Sequence, residues 1–366
     1  MDKTTERIIS QFDLKGMCTD ISPITHGNIN RTYKFEMTDA GRKSYYLLQK
    51  INTFVFKKPD ELMQNILGIT EFLKKKIRLA GGDEKRETVT VIPTHDGKSF
   101  FTDENGESWR CYIFIDGTYS CNTIDSEEVF FQAGKAFGKF QQLLSDYPSE
   151  TLFETIPFFH DTYKRYLALE KAIEENKAGR REEVRSEIEF IRRREADTKK
   201  LTSLIETGEL PIRVTHNDTK LNNILFDEKT DEGICIIDLD TVMPGLSLYD
   251  FGDSIRSGAC PAEEDERVLD RVFLDLGLFK AYAKGYLLSA GESLTEKEKD
   301  TLAFSSKVMT LELAIRFLTD YLNGDEYFKI NYPDHNLVRT RAQLKLVADI
   351  ENKLPEMESI IKELCK

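Results

Sequence analysis

Two carboxylates and one amide in the middle of the chain have the residue types and the spacing to hold a hard cation and to accept a proton from a hydroxyl. In RVTHNDTKLNNILFDEKTDEGICIIDLDT, the pattern H-x-D-x4-N is made by His216, Asp218 and Asn223, and Asp238 ends an apolar strand twenty residues after Asp218. If 223–226 pairs antiparallel with 234–238, closing the turn at 227–233 sets Asn223 beside Ile237 and Asp238. An amide oxygen and a carboxylate would then meet at one strand end. Magnesium takes such oxygens, few from protein and the rest from phosphate and water. Asp218, one loop earlier, can reach the same place as the acceptor of a substrate hydroxyl proton. A plainer account has Asp218 and Asn223 building a turn and Asp238 capping a strand.

The elements that must position these groups change character along the chain. β-rich stretches at 31–37, 44–51, 88–92, 99–102 and 108–115 surround one helix that starts near Pro59 and carries Leu62, Ile66, Ile69, Phe72 and Leu73 on one face. After Thr118 the pattern is mostly helical: 126–145, 159–175 and a charged helix from Arg181 to about Glu206. In that helix Arg192, Arg193 and Arg194 read as a solvated face. A short β-rich island at 223–226 and 234–238 interrupts the helices, which then run to the end, with Thr295 and Glu298 suited to a capping box. The expected fold is α+β: a small β-rich N-terminal lobe over 1–115 and a larger, mainly helical C-terminal lobe over 116–366.

Bulk properties narrow the partners. The 366 residues carry a formal net charge of -13, which argues against nucleic acid as the main partner. No apolar run approaches membrane-spanning length and the start, MDKTTERIISQF, has no signal-peptide core, so no membrane partner and a cytoplasmic location are expected. The six cysteines are scattered and the five histidines form no HExxH, so any metal should be a hard cation on oxygen.

The H-x-D-x4-N loop with its following Ile-Asp resembles the catalytic loop and metal-binding Asp of protein kinases and of the aminoglycoside phosphotransferase family, which share a two-lobed fold. The resemblance implies ATP and Mg2+, with Asp218 as base and Asn223 and Asp238 as metal ligands. Lys220, two residues after Asp218, stands where protein kinases carry a Lys that contacts the transferred phosphate. PGLSLYDFGDSIR matches the segment that follows the metal-binding Asp in this family. Only eleven residues separate Asp238 from Asp250, which leaves no room for a protein-kinase activation segment. Asp250 is expected to anchor the loop by hydrogen bonds. Many relatives read His-Gly-Asp where this chain has Asn217.

Transfer of a phosphoryl group needs a cover for the phosphates and a fixed cation on them. ITHGNINRTYKF places Gly27, Asn28, Asn30 and Thr32 between two strands, where backbone amides can approach phosphate. A hairpin turn accounts for the same residues equally well. Lys50 in YYLLQKI lies where the kinase fold carries its phosphate-binding Lys, with Glu61 or Glu71 as partner, and WRCYIFI before DGT looks like the hinge, where adenine would bond to the backbone of Phe114 to Asp116.

Nothing in spacing or composition identifies the acceptor. GNINRTY, LLQKIN with TFVF, IPFFHDT, HNDTKLNNILFD, IDLDTVMPG, YDFGD, RFLTDYLNGDEYF and HNLVR together resemble bacterial N-acetylhexosamine 1-kinases. That family phosphorylates the anomeric hydroxyl of an amino sugar, GlcNAc or GalNAc, and the resemblance implies sugar binding by Arg316 and Tyr327 beside Asp218. Read physically, Arg316 sits among apolar neighbours and needs polar partners, with Glu312 or Asp320 one turn away as an internal alternative, and Tyr327 can simply pack. A related kinase of another small hydroxylated acceptor, or a nucleotide-binding pseudoenzyme, fits most of the same motifs.

Overall fold

A computed structural model describes residues 3–24 and 30–366. The chain folds into two compact units, the first made of Met1–Tyr119, Asp146–Pro157 and Leu225–Met243, the second of Ser120–Ser145, Phe158–Ile224 and Pro244–Lys366. The β-rich island that carries Asp238 thus belongs with the N-terminal residues, whereas the sequence reading puts it in the helical lobe.

The first unit opens with α1 (Lys3–Ile9) and an antiparallel sheet of β1 (Met17–Ile24), β2 (Arg31–Asp39) and β3 (Arg42–Lys50). After α2 (Pro59–Leu79) the chain adds β4 (Val91–Ile92), β5 (Phe101–Thr102) and β6 (Ser108–Ile113), giving the order β1-β2-β3-β6-β4 with β5 on β6; β7 (Thr118–Tyr119) lies outside this sheet. α1 forms because it and the residues just after it lay Ile8, Ile9 and Phe12 on Phe35, Leu48, Trp109 and Cys111. Each such side chain contributes about 1.5–3 kcal/mol on full burial. α2 has Pro59 in its first turn, Asp60 and Glu61 at its positive end, Lys76 and Arg78 at its negative end, and Leu62, Ile66, Ile69, Leu73 and Ile77 buried along one stripe.

The second unit is helical. α3 (Glu127–Leu143) and α4 (Thr162–Glu175) are capped by Ser126 and Asp161, whose side chains accept from Val129 N and Lys164 N. The single helix expected over 181–206 is broken instead: a 3₁₀ turn over Arg181–Val184, α5 (Arg185–Arg192) and α6 (Glu195–Glu206). Arg194 explains the break. Its guanidinium forms a fork on Glu351 at 2.6 and 2.9 Å and lies 3.4 Å from the Phe190 ring, so this arginine is not a solvated one.

β8 (Arg213–Thr215) leads into the H-x-D-x4-N loop, and β9 (Ile224–Asp227), β10 (Gly233–Ile236) and β7 form a three-stranded sheet. β11 (Met243–Gly245) precedes α7 (Ser247–Gly258), α8 (Leu276–Ala290), α9 (Glu296–Asn323) and α10 (His335–Leu364). The Thr295–Glu298 capping box is formed at the start of α9. α7 packs on α9 so closely that a Cβ at Gly252 would lie 2.6 Å from the Ser305 carbonyl oxygen, which explains the glycine of YDFGD. Among the described residues no helix is long and apolar enough to cross a membrane.

Candidate active site

The loop after β8 is fixed from beneath by α7. Asp250 accepts from His216 N and Asn217 N at 2.8 Å each, and from Gln141 Nε2 at 3.0 Å. Burial raises the Asp250 pKa, and the His216 ring with these N–H donors pulls against that shift. Thr219 Oγ1 donates to Asp250 O at 2.7 Å and Thr219 N donates to Asp253 at 3.2 Å. Burial also acts against the Asp253 carboxylate, yet Arg256, bonded to it at 2.7 and 3.0 Å, and Lys220 hold its pKa below the ordinary value. Asn217 has φ 65, left-handed backbone that asparagine tolerates better than most residues. The replacement of glycine by Asn217 therefore keeps the turn.

These anchors present Asp218 with both oxygens directed. Lys220 Nζ lies 2.8 Å from Oδ1, while Asn223 Nδ2 donates to the Asp218 carbonyl at 2.8 Å and to Oδ2 at 3.2 Å. The carboxylate raises the Lys220 pKa above its usual value. With its Nδ2 spent on Asp218, Asn223 keeps Oδ1 without a hydrogen bond among the described residues, a hard oxygen of the kind a magnesium ion takes.

A second support comes from the IPFFHDT motif. His160 Nε2 lies 3.2 Å from Asn217 O, and its Nδ1 lies 2.7 Å from Glu312, which also accepts from Thr162 Oγ1 at 2.7 Å. Burial opposes the Glu312 charge, but His160 and then Arg316 keep its pKa low. Glu312 is therefore spent on His160, and Asp320 is spent on the N–H groups of Tyr327 and Phe328 and on Asn336. Neither pairs with Arg316. The half-buried Arg316 guanidinium lies 5.3 Å from the Phe159 ring and 5.6 Å from Phe328, with no hydrogen bond or ion pair among the described residues. Arg165, on the Phe159 carbonyl at 2.9 Å, has its pKa lowered by burial and by Arg316. Tyr327 is 62% exposed and edge-on to Phe328, so it does not pack into the core.

In the first unit, Gly27 and Asn28 lie outside the described residues. Asn30 Nδ2 donates to Asp240 at 2.7 Å and its Oδ1 accepts from Asn52 N at 3.0 Å, so this side chain ties the strand to Asp240. Thr32 Oγ1 accepts from Gln49 Nε2 at 3.0 Å. Lys50 Nζ lies 2.8 Å from Glu107. The expected partners are taken, Glu61 by Lys58 and Glu71 by Lys74. Lys50 is opposite Trp109 and so shares the face packed on α1, whereas the other face carries Gln49 and Arg110. Arg110, 1% exposed, pairs with Asp240 at 2.6 Å and donates to Gln49 at 2.9 and 3.1 Å; against the effect of burial, Asp240 and more distantly Asp238 raise its pKa. Asp238 itself has left-handed backbone, φ 59, a sparsely used conformation. After β6 the Phe114 carbonyl and the Asp116 N–H have no hydrogen-bond partner among the described residues, one acceptor and one donor of the kind an adenine edge can use.

Comparison with known proteins places this chain in a family. The sequence model of the phosphotransferase enzyme family (APH) aligns with residues 20–288. The chain belongs to this family. It is similar to an aminoglycoside phosphotransferase from Alicyclobacillus acidocaldarius at 11% identity and TM-score 0.61, over 98% of this chain and 96% of that one. It is also similar to an ethanolamine kinase from Plasmodium vivax (17%, TM-score 0.56, 88% and 82% covered) and to aminoglycoside 2'-phosphotransferase-IIIa in its GDP complex (14%, TM-score 0.57, 96% and 100%). The likeness is one of fold: a kinase-like architecture with an antiparallel sheet and a helical part.

In this phosphotransferase the residues that sequence reasoning missed are the ones that hold others. Arg110 was signalled by a charge inside the apolar strand WRCYIFI, and His160 with Glu312 by two ionisable groups in apolar stretches. Asp253 was signalled only by its place one turn after Asp250. Among the described residues no group of three His, Cys, Asp or Glu side chains is arranged to hold a metal ion.

Proposed function

We propose that the chain is an ATP- and magnesium-dependent kinase that phosphorylates the anomeric 1-hydroxyl of an N-acetylhexosamine, GlcNAc or GalNAc. The observation that carries the choice of acceptor is Arg316, a guanidinium with no hydrogen bond or ion pair among the described residues, on an aromatic shelf one turn after the residue that bonds His160. An unpaired cation with Arg165 nearby repels the ammonium groups of choline, ethanolamine or an aminoglycoside and suits the hydroxyl and carbonyl oxygens of an N-acetylated sugar. The exposed Tyr327 adds a ring and a hydroxyl at the same place.

In this reading Asp218 accepts the 1-hydroxyl proton as the sugar oxygen bonds to the γ-phosphorus and the bond to ADP breaks. Lys220 and Asn223 orient the two Asp218 oxygens, and Lys220 supplies positive charge beside the transferred group. Asn223 Oδ1 and Asp238 would hold magnesium, which when bound neutralises phosphate charge. Adenine would use Phe114 O and Asp116 N, and Thr32 would lie near the phosphates. Arg110 keeps Asp240 and Asn30 in register with Asp238.

The test is an acceptor panel of GlcNAc, GalNAc, glucose, choline, ethanolamine and kanamycin with ATP and magnesium, read by ADP release and by phosphorus NMR of the product. ADP release with an N-acetylhexosamine and an anomeric phosphate are expected. Turnover confined to the amino alcohols or kanamycin would overturn the acceptor while leaving the family intact.

A further inference from the structure

The second unit contains a cavity of about 360 Å³ whose lining shares Lys220 with the proposed reaction but includes neither Asp218 nor Arg316 nor Tyr327. Thr219, Lys220 and Asn222 form one wall, the end of α7 and 260–264 another, and α3, α8 and α10 the floor. Asp218 and Asn223 are not among its walls, so the cavity touches the catalytic loop without touching the base. It opens to solvent at exposed Asn122 and Glu263. Its volume lies near the lower end of small-molecule pockets, ~300–1,000 Å³.

Gln343 makes this more than a packing gap. It lines the cavity, is 4% exposed, and neither atom of its amide has a hydrogen-bond partner among the described residues. A buried amide left without partners costs about 1–3 kcal/mol, a cost that a bound group removes. Both cations in the wall are already spent, Arg256 on Asp253 and, at 3.4 Å, on Glu264, and Lys220 on Asp218, while the Glu263 carboxylate lies at the exposed mouth. The floor adds the Phe130 and Tyr282 rings. Amides, hydroxyls, aromatic surface and balanced charge form a lining for an uncharged polar molecule.

We propose that this cavity is a second small-molecule site, distinct from the acceptor site, that takes a compact uncharged ligand bearing hydroxyl or amide groups, anchored on Gln343. The inference does not depend on the acceptor proposed above.

Cys260, in the cavity wall, supplies the readout. Its alkylation by iodoacetamide, followed by mass spectrometry of its peptide in the full chain, is measured with N-acetylglucosamine, myo-inositol or choline present. At ten times its Kd, a ligand seated there should slow alkylation about tenfold. Slowing by N-acetylglucosamine or myo-inositol is expected in the wild type and in Arg316→Ala, and not in Gln343→Leu. Because Leu removes an unsatisfied amide, Gln343→Leu should melt no lower than the wild type; Gln343→Met replaces it if Leu does not fold. No slowing by either uncharged probe, slowing by choline instead, slowing lost in Arg316→Ala, or slowing that survives the loss of the amide would each overturn the proposal.

Discussion

The loop from His216 to Asn223 and the aromatic shelf around Arg316 are held in opposite ways. In the loop, Asp250, Asp253, His160 and Thr219 account for the backbone and orient Asp218 through Lys220 and Asn223. On the shelf, the carboxylates nearest in sequence to Arg316 are bonded elsewhere, and among the described residues its guanidinium makes ring contacts but no hydrogen bond or ion pair. A group that does chemistry must be positioned before substrate arrives. A group that selects a substrate is best left for the substrate to satisfy.

The sharpest way to break this contrast is at the base. Asp218→Asn should lower kcat by about 10²–10⁴-fold while the melting temperature changes little, read by ADP release and calorimetry. Unchanged kcat would remove Asp218 from the chemistry. Next, Arg316→Ala should raise the acceptor KM by about 10–100-fold, the loss of one or two charge-assisted hydrogen bonds, with stability little changed because no hydrogen bond or ion pair among the described residues is lost. A fall in melting temperature without a KM effect would make Arg316 a structural residue. Asp250→Asn should do the reverse: about 1–3 kcal/mol less stability in denaturant unfolding, because one of its buried backbone donors loses its acceptor, and a loss of kcat with little change in KM.

The smallest effect concerns acid. Burial works against the Glu298 carboxylate, but Arg213 at 2.6 and 2.7 Å, Thr295 N and Ser247 hold its pKa below 4.5. The unfolded state therefore binds the proton more readily. The stability from Glu298 is present above the ordinary carboxylate value and is lost as pH falls through the lower folded value. Glu298→Gln should lower the melting temperature at neutral pH and flatten its decline below about pH 4.5; an unaltered acid slope would remove Glu298 from that decline.

Part of what anchors the loop was legible in the sequence because it follows from spacing. The short interval to Asp250 and the Thr295–Glu298 box each imply one local geometry, and that geometry is present. The nucleotide face was less legible. Lys50 and Gln49 are adjacent in sequence and point to opposite faces, so an argument from position along a strand does not tell which of them meets Arg110. The break at Arg193–Arg194 was hidden for a related reason: it depends on Glu351, far away in the chain. The free state of Arg316 was the least readable, since it rests on Glu312 and Asp320 finding other partners.

The central claim is that the fixed loop and the unsatisfied shelf serve one reaction on an N-acetylated sugar. It is tested most directly by the ratio of kcat/KM for N-acetylglucosamine to that for choline in the wild type and in Arg316→Ala. The expected ratio is well above one in the wild type and collapses in the variant, with the fold unchanged. A wild-type ratio below one, or a ratio unaffected by removing Arg316, would contradict it.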